Sequence, residues 1–344
     1  MKDLSSFQPR RILVCQQRQI GDVLLATPVF QLLKQRFPEV ELHIFTEAKC
    51  EPLLRHNPFI DKFHLVEKKG FFAELAFYRK VARYGFDMVF NLQNLPRCRM
   101  MTLLSGAPVR LSMKTGSWRD WIYTHTVQEV KGYASETKVT LLSPLGIEWK
   151  GETPQVFLTD EERQQARAIL RSCGMLEGQK LIVIDSTHRR QSKRWPAERY
   201  AEVVRLLAEH DTSFTFLLLR GPGEEDDITR LKELCCERGV PSAKLFIPQP
   251  LPSIRLSAAC LAEACLLIGN CSSPRHMAVA VGTPSLVIPG ASGTAWRFPS
   301  PLHDELRPAL PCQPCDKIQC DEPHCLLQVT PEMVFRKALE LLAS

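Results

Sequence analysis

Short apolar runs alternate with amphipathic stretches along the whole chain, as expected for strands and helices that follow one another. Strand-like runs lie at residues 11–15, 40–45 and 87–92, and helical spacing of apolar side chains at residues 22–37 and 138–145. Strands that alternate with helices favour a parallel sheet covered on both faces. The first part of the chain therefore predicts an α/β domain.

The pattern starts again after a polar, proline-containing stretch at residues 151–154. Thr159 and the three acidic residues after it predict a capped helix that reaches Cys173. Strand-like runs follow at residues 181–184, 214–219, 266–269 and 285–288. We therefore predict two doubly wound, Rossmann-like parallel-sheet domains, at residues 1–155 and 156–330, and a C-terminal helix at 331–344 that packs toward the first domain.

Hydropathy favours a cytoplasmic protein. The longest apolar run, residues 214–219, is far shorter than the roughly 20 residues of a membrane span. Residues 1–11 lack the apolar segment of a signal peptide. In that compartment we expect most of the 13 cysteines to be reduced thiols.

The formal net charge of +6 is unevenly distributed. Up to Gln155 there are 22 Lys and Arg against 15 Asp and Glu, and after it 22 against 23. This excess predicts an anionic partner for the first domain, with a basic surface that only aids solubility as the alternative. Nucleic acid is disfavoured as that partner, since the basic residues do not alternate with aromatic ones in a known module.

The loop at residues 16–22, between the first strand and its helix, places Asp22 after Gly21 at a helix N-terminus. It lacks the G-x-G-x-x-G spacing of a dinucleotide site. Asp22 is therefore either a helix N-cap or a general base.

Three more loops after strands carry unusual chemistry. They are the basic loop at residues 186–196, the glycine turn at residues 220–225, and residues 269–276, where hydroxyls precede a small-residue helix. Cations and a helix N-terminus are suited to bind the diphosphate of a nucleotide. Acidic side chains can accept hydrogen bonds from its ribose hydroxyls. No Asp-x-Asp pair ends a strand to hold a divalent ion, which favours catalysis without a metal. We expect that catalysis requires no cofactor.

Together the loops resemble the motifs of the ADP-heptose:lipopolysaccharide heptosyltransferases, glycosyltransferase family 9. The matching motifs are Ile20-Gly21-Asp22, Lys193-Arg194-Trp195-Pro196, Gly221-Pro222-Gly223-Glu224, residues 272–276 and Cys312-x-x-Cys315. Residues 18–25 and 51–58 look most similar to the heptosyltransferase III branch. The resemblance implies a GT-B fold, in which the two domains face a central cleft, and an inverting transfer of heptose from ADP-heptose to the inner core of lipopolysaccharide.

The resemblance also implies roles for single residues. Asp22 matches the general base, and Lys193 matches the lysine at the donor diphosphate. The remaining donor-binding candidates are Ser186, Thr187, Arg194, Glu224, Glu225, Ser272, Ser273 and His276. Glu224 and Glu225 are alternatives for one ribose contact, and His276 is either near the diphosphate or a core histidine. For the acceptor the candidates are Arg18, Gln19, Arg97 and Arg99.

Two residues depart from the family pattern. Cys271 stands where the family usually has an acidic residue, and Ser273 where it has glycine. Two alternatives therefore stay open: a related transferase with another nucleotide-sugar donor, and a catalytically silent protein that binds glycan or nucleotide.

Two further segments suggest binding sites. Cys312, Cys315, Cys320 and Cys325 form a candidate structural zinc site, with a thiol-packed loop as the alternative. Residues 68–80 contain Phe71, Phe72 and other apolar side chains, with basic residues at both ends. This segment either packs on the core or lies on an anionic bilayer, which would place the protein at the inner face of the inner membrane.

Overall fold

The computed structural model describes residues 4–67 and 70–343. It divides into two units, Met1–Phe157 and Leu158–Ser344. The boundary predicted after residue 155 lies two residues before this division.

The first unit is built on a six-stranded parallel sheet. Its strands are Arg11–Cys15 (β1), Glu41–Glu47 (β2), Lys62–Val66 (β3), Met88–Asn91 (β4), Val109–Met113 (β5) and His125–Val127 (β6). Their order is β3-β2-β1-β4-β5-β6. The chain thus extends the sheet first to one side of β1 and then to the other, which makes β1 and β4 the switch point where ligands of such sheets bind.

Helices connect these strands. They are Ile20–Leu24 (α1), Thr27–Arg36 (α2), Glu51–Leu54 (α3), Phe71–Ala82 (α4), Pro96–Leu104 (α5) and Ala134–Thr140 (α6), with 3-10 turns at Ala48–Cys50, Trp118–Ile122 and Ser143–Leu145. The single helix predicted for residues 22–37 is two helices. The helix predicted for residues 138–145 begins earlier, at Ala134, and its last part is a 3-10 turn.

The second unit repeats the architecture. Its strands are Lys180–Asp185 (β7), Phe214–Leu218 (β8), Leu245–Phe246 (β9), Leu266–Asn270 (β10), Ser285–Ile288 (β11) and His303–Glu305 (β12). Their order is β12-β11-β10-β7-β8-β9 and all neighbours are parallel, so the switch point lies between β7 and β10. The prediction of two doubly wound parallel sheets is confirmed.

Seven helices of the second unit fall within the described residues. They are Asp160–Ser172 (α7), Ala197–His210 (α8), Glu225–Glu237 (α9), Ile254–Ala262 (α10), Ser273–Val281 (α11), His324–Leu327 (α12) and Pro331–Ala343 (α13). Thr159 caps α7 as predicted, because its hydroxyl accepts the Glu162 N–H at 3.2 Å and the Glu162 carboxylate accepts the Thr159 N–H at 2.9 Å.

The C-terminal helix α13 packs against α8 and strands β10 and β11 of the second unit. Its buried residues are Val334, Ala338 and Leu341. The predicted packing of this helix toward the first domain stays a prediction.

Both sheets are buried in apolar cores. Ile12, Leu13 and Val14 of β1 are fully buried, as are Ile182, Val183 and Ile184 of β7. Each of the 13 cysteines is a free thiol. Throughout residues 4–67 and 70–343, every helix is too short or too polar to span a bilayer.

Candidate functional site

The loops after β1 and β4 are linked at the switch point of the first unit. The Arg18 N–H donates to Oε1 of Gln93 at 3.0 Å, and the Gln93 amide donates back to the Arg18 carbonyl oxygen. The Leu92 N–H donates to the Cys15 carbonyl oxygen at 3.1 Å. These contacts fix the backbone that leads into α1.

Asp22 is the third residue of α1 and is half-buried. Its carboxylate accepts the N–H of Gln19, the N-cap residue, at 3.3 Å. The N-cap interpretation of Asp22 was therefore wrong in position, since Asp22 is the acidic partner of a capping box. One carboxylate oxygen is held by this bond, and the carboxylate keeps further acceptor sites for a substrate hydroxyl.

Lys138 of α6 is a neighbour of Asp22 that the sequence did not indicate. Its ammonium donates to Oε1 of Gln16 at 3.1 Å. Burial lowers the pKa of Lys138, and the negative charge of Asp22 partly offsets this effect. In the sequence, Lys138 was only one polar residue of a predicted short helix.

The acceptor candidates fall into two groups. Arg18 and Arg97 both line a cavity of about 440 Å³ between α4, α5 and the loop after β1, whose apolar walls include Phe71, Leu75 and Met100. Gln19 and Arg99 are not among its lining residues.

Internal partners hold two of these arginines. Arg97 binds the carboxylate of Glu74 through two nitrogens, at 2.9 and 2.6 Å, and these hydrogen bonds raise its pKa. Arg99 donates to the carbonyl oxygen of Asn94 at 2.6 Å. Within the described residues no carboxylate pairs with Arg18, so its guanidinium is the cation of this cavity that can meet an anion.

The switch point of the second unit gathers several predicted donor-binding residues. Ser186 and Thr187 are buried directly after β7. The amide of Asn270, the last residue of β10, donates to the Thr187 carbonyl oxygen at 3.3 Å, and its oxygen accepts the N–H of Trp195 at 3.0 Å. Asn270 thereby ties the two ends of the basic loop together, a role that the sequence did not indicate.

The two basic candidates of this loop differ in their surroundings. Lys193 is only 8% exposed, and its ammonium lies 3.5 Å from the carboxylate of Asp316. Arg194 is paired with Asp227 of α9. Of the two, Lys193 has the looser ion pair.

Glu224 and Glu225 are now distinguished. The Glu224 carboxylate accepts the Thr187 hydroxyl at 2.7 Å and the Gly221 N–H at 2.6 Å. Glu225 is exposed and pairs with Arg220. Glu224 is therefore the acid that lies among the donor-binding candidates.

The turn after β10 leads into α11. Ser272 is the N-cap residue and Ser273 the first residue of this helix. The side chain of His276 packs edge-to-face on Trp296 with a centroid distance of 5.8 Å. Burial lowers the pKa of His276 to about 3, with a further effect from Arg275, and its Nδ1 has no hydrogen-bond partner among the described residues. The core-histidine alternative assumed that the backbone bonds the ring, and at Nδ1 it does not.

Cys271 is buried and lies 3.5 Å from a guanidinium nitrogen of Arg275. Arg275 is also paired with Glu305 at 3.0 Å, and both side chains are almost fully buried. The cation beside Cys271 is therefore already neutralised by a carboxylate.

The four C-terminal cysteines are near one another but do not form a metal site in this conformation. Burial raises the pKa of Cys325, and negative charge on Cys315, Cys312 and Cys320 raises it further. Among residues 4–67 and 70–343, no three or more His, Cys, Asp or Glu side chains are arranged to hold a metal ion. The structural zinc site stays a prediction.

Comparisons with known proteins agree with this geometry. The model of glycosyltransferase family 9 (heptosyltransferase) matches residues 74–326. Lipopolysaccharide heptosyltransferase 3 of Escherichia coli is 27% identical over 285 residues, which cover 79% of this chain and 81% of that protein.

Solved structures share the fold. A family 9 glycosyl transferase from Veillonella parvula superposes with a TM-score of 0.80 at 23% identity and covers 97% of both chains. An E. coli heptosyltransferase determined with ADP-2-deoxy-2-fluoro heptose gives a TM-score of 0.70 at 18% identity, over 96% of this chain and 99% of that one.

Proposed function

The chain belongs to glycosyltransferase family 9, the heptosyltransferase family, and on that premise we propose that it transfers heptose from ADP-heptose to the inner core of lipopolysaccharide. The observation that carries this proposal is the cluster at the ends of β7 and β10. There the Thr187 hydroxyl donates to Glu224 and the Ser272 hydroxyl donates to Asp185, at the edge of the sheet where open α/β sheets bind nucleotides.

We propose an inverting displacement with Asp22 as the base. The acceptor hydroxyl oxygen forms a bond to the anomeric carbon while its proton passes to the Asp22 carboxylate. The bond from that carbon to the diphosphate oxygen breaks, and its electron pair leaves with ADP. Lys193 and the N–H groups at the start of α11 stabilise the negative charge that develops on the diphosphate.

On the acceptor side, we propose that the Arg18 guanidinium binds an acidic group of the glycan. The cavity beside it is lined largely by apolar side chains, so it suits a sugar face or an alkyl group better than a second charge. The positive excess of the first 155 residues would attract the anionic acceptor over longer distances.

Contact with an anionic bilayer is a further part of this proposal. Phe71 and Phe72 begin α4 and are 70% and 83% exposed, whereas Tyr78 and Val81 later in the helix are buried. One helix therefore packs on the core at one end and presents two aromatic rings at the other. Of the basic residues predicted at both ends of this segment, Lys68 and Lys69 lie outside the described residues.

Liposome sedimentation tests the bilayer contact. Changing Phe71 and Phe72 to Ser should lower binding to vesicles that contain anionic phospholipid by ten-fold or more. Burial of each ring in the bilayer would contribute roughly 1.5–3 kcal/mol to the binding free energy. Unaltered binding would exclude these rings as the contact.

The central experiment measures ADP release from a panel of nucleotide sugars with purified core acceptor. ADP-heptose should be the preferred donor, and Asp22→Asn should lower turnover by about 10²–10⁴-fold. Glu39→Gln is the matched control because it removes one exposed carboxylate from the same unit. Equal turnover of Asp22→Asn and wild type would refute the assignment of the base.

Cys271 supports a second candidate, a transferase with an altered sugar donor. If the missing acid selects the sugar, Cys271→Asp should raise turnover with ADP-heptose relative to other donors. ADP-heptose turnover that this substitution leaves unchanged would count against the altered-donor function.

A further inference from the structure

Asp185 is a buried carboxylate with no role in the mechanism above. It is the last residue of β7 and is 4% exposed. It is paired in register with Gly269 of β10, where a Cβ atom would lie only 2.7 Å from the Asp185 Cβ. The absence of a side chain at Gly269 thus makes room for Asp185 at the centre of the switch point.

The contact that matters is a hydrogen bond from the Ser272 hydroxyl to Oδ2 of Asp185. A serine hydroxyl has one hydrogen to donate. While that hydrogen points at an ionised Asp185, Ser272 can offer a bound phosphate only its lone pairs, which repel an anion. In this state the Ser272 hydroxyl therefore cannot donate a hydrogen bond to a bound diphosphate.

The surroundings of Asp185 favour its neutral form. The titratable groups that act on it are Glu224, from the loop after β8, and Tyr200 of α8. Gly269 of β10, its partner in register, and Leu218 of β8, the partner of Ile184, are uncharged, and no basic side chain pairs with Asp185 in the described part of the unit. Burial raises the pKa of Asp185 to about 7, the Ser272 hydrogen bond lowers it in part, and Glu224 raises it.

We propose that Asp185 is a positioning residue that couples donor binding to the uptake of one proton. When the anionic diphosphate binds, Asp185 takes a proton from solvent and donates it in a hydrogen bond to Oγ of Ser272. The Ser272 hydrogen then turns to a phosphate oxygen. The one bond formed is the O–H bond of the Asp185 carboxyl, whose proton comes from solvent, and one negative charge is removed next to the diphosphate. This inference rests on the proposed donor site.

Calorimetric titration with ADP-heptose in buffers of different ionisation enthalpy measures the proton directly in the wild type. ADP-heptose is the suitable probe because its diphosphate is esterified at both ends, whereas the terminal phosphate of ADP itself titrates near a pKa of about 6. From the Asp185 pKa of about 7, we expect uptake of about 0.5 proton per bound ligand at pH 7 and about 0.9 at pH 8. The affinity should fall about five-fold between these pH values.

Variants test the route through Ser272. Asp185→Asn should abolish the proton uptake and bind ADP-heptose with little pH dependence, whereas Asp226→Asn, an exposed acid of α9, should behave as wild type. In a Ser272→Ala background, Asp185→Asn should lose most of its effect on ADP-heptose affinity at pH 8. A full effect in that background would overturn the coupling through Ser272.

The wild-type titration also separates this inference from the proposed function. ADP-heptose that binds without proton uptake at pH 7 and pH 8 would overturn the role of Asp185 and leave the donor site intact. ADP-heptose that does not bind at any pH would overturn the proposed donor, and the inference with it.

Discussion

Asp185 should make the second unit less stable as the pH rises, even without a ligand. Burial raises its pKa from 3.8 to about 7, and one pKa unit corresponds to 1.36 kcal/mol. Ionising this group therefore costs about 4 kcal/mol more in the folded unit than in the unfolded chain. Because the folded pKa is the higher one, the stability it contributes is complete below pH 3.8 and is lost as the pH rises through 7.

The substitution Asp185→Asn removes this dependence, since an amide does not titrate and can still bond with Ser272. Between pH 5 and pH 8 the free energy of unfolding of the wild type should fall by about 2.5 kcal/mol through this carboxylate. That of the variant should not fall for this reason. Other titrating groups are the same in both proteins and cancel in the difference. The variant should therefore gain about 2.5 kcal/mol relative to the wild type over this range.

Urea unfolding at pH 5 and pH 8 measures that difference. Fluorescence of Trp195 suits the measurement because this side chain is fully buried in the second unit and packs edge-to-face on Tyr200 at 4.8 Å. Asp226→Asn is again the control for loss of one charge. A stability difference between Asp185→Asn and wild type that is equal at both pH values would refute the burial argument.

Three substitutions test other parts of the second unit. Thr159→Ala should cost about 1 kcal/mol in urea unfolding through loss of the helix cap, and an unchanged midpoint would contradict the capping role. Gly290→Ala should lower the free energy of unfolding by about 1–3 kcal/mol and weaken ADP binding, because its Cβ would lie 2.5 Å from the Ser192 carbonyl oxygen. Melting and ADP affinity equal to those of the wild type would show that the backbone here can move to make room. Glu305→Gln should cost about 3–5 kcal/mol, since it leaves the buried Arg275 guanidinium without this carboxylate, and a loss below about 1 kcal/mol would show that the pair is dispensable.

The central strands could be predicted from the sequence because strands buried on both faces are continuous apolar runs. The runs at residues 11–15, 181–184 and 285–288 each correspond to a strand. Five strands within the described residues were missed. Three belong to the first unit, Lys62–Val66, Val109–Met113 and His125–Val127. The other two are Leu245–Phe246, which has only two residues, and His303–Glu305, which is polar.

The break between α1 and α2 shows how one residue interrupts a correct periodicity. Pro28 has no N–H to donate to the Leu24 carbonyl oxygen, and the Thr27 hydroxyl takes that oxygen instead, at 2.7 Å. The apolar spacing continues through the break, so the pattern alone predicted a single helix.

For the site, the sequence indicated residues in loops after strands but not the residues that hold them. Asn270, Asp185 and Lys138 act through hydrogen-bond partners that lie 70 to 122 positions away in the chain, such as Gln16 for Lys138. No local spacing encodes such contacts, because they depend on which strands become neighbours. Glu224 could be separated from Glu225 only once its bond to Thr187 was known.

The strand order that the two sheets share has a consequence for the evolution of such enzymes. Each sheet is complete in itself, and the chain passes from one to the other between Phe157 and Leu158. Recombination at that junction would exchange a whole sheet without cutting a strand pair in either half. A lineage could in this way replace the switch point of one sheet in a single event while retaining that of the other.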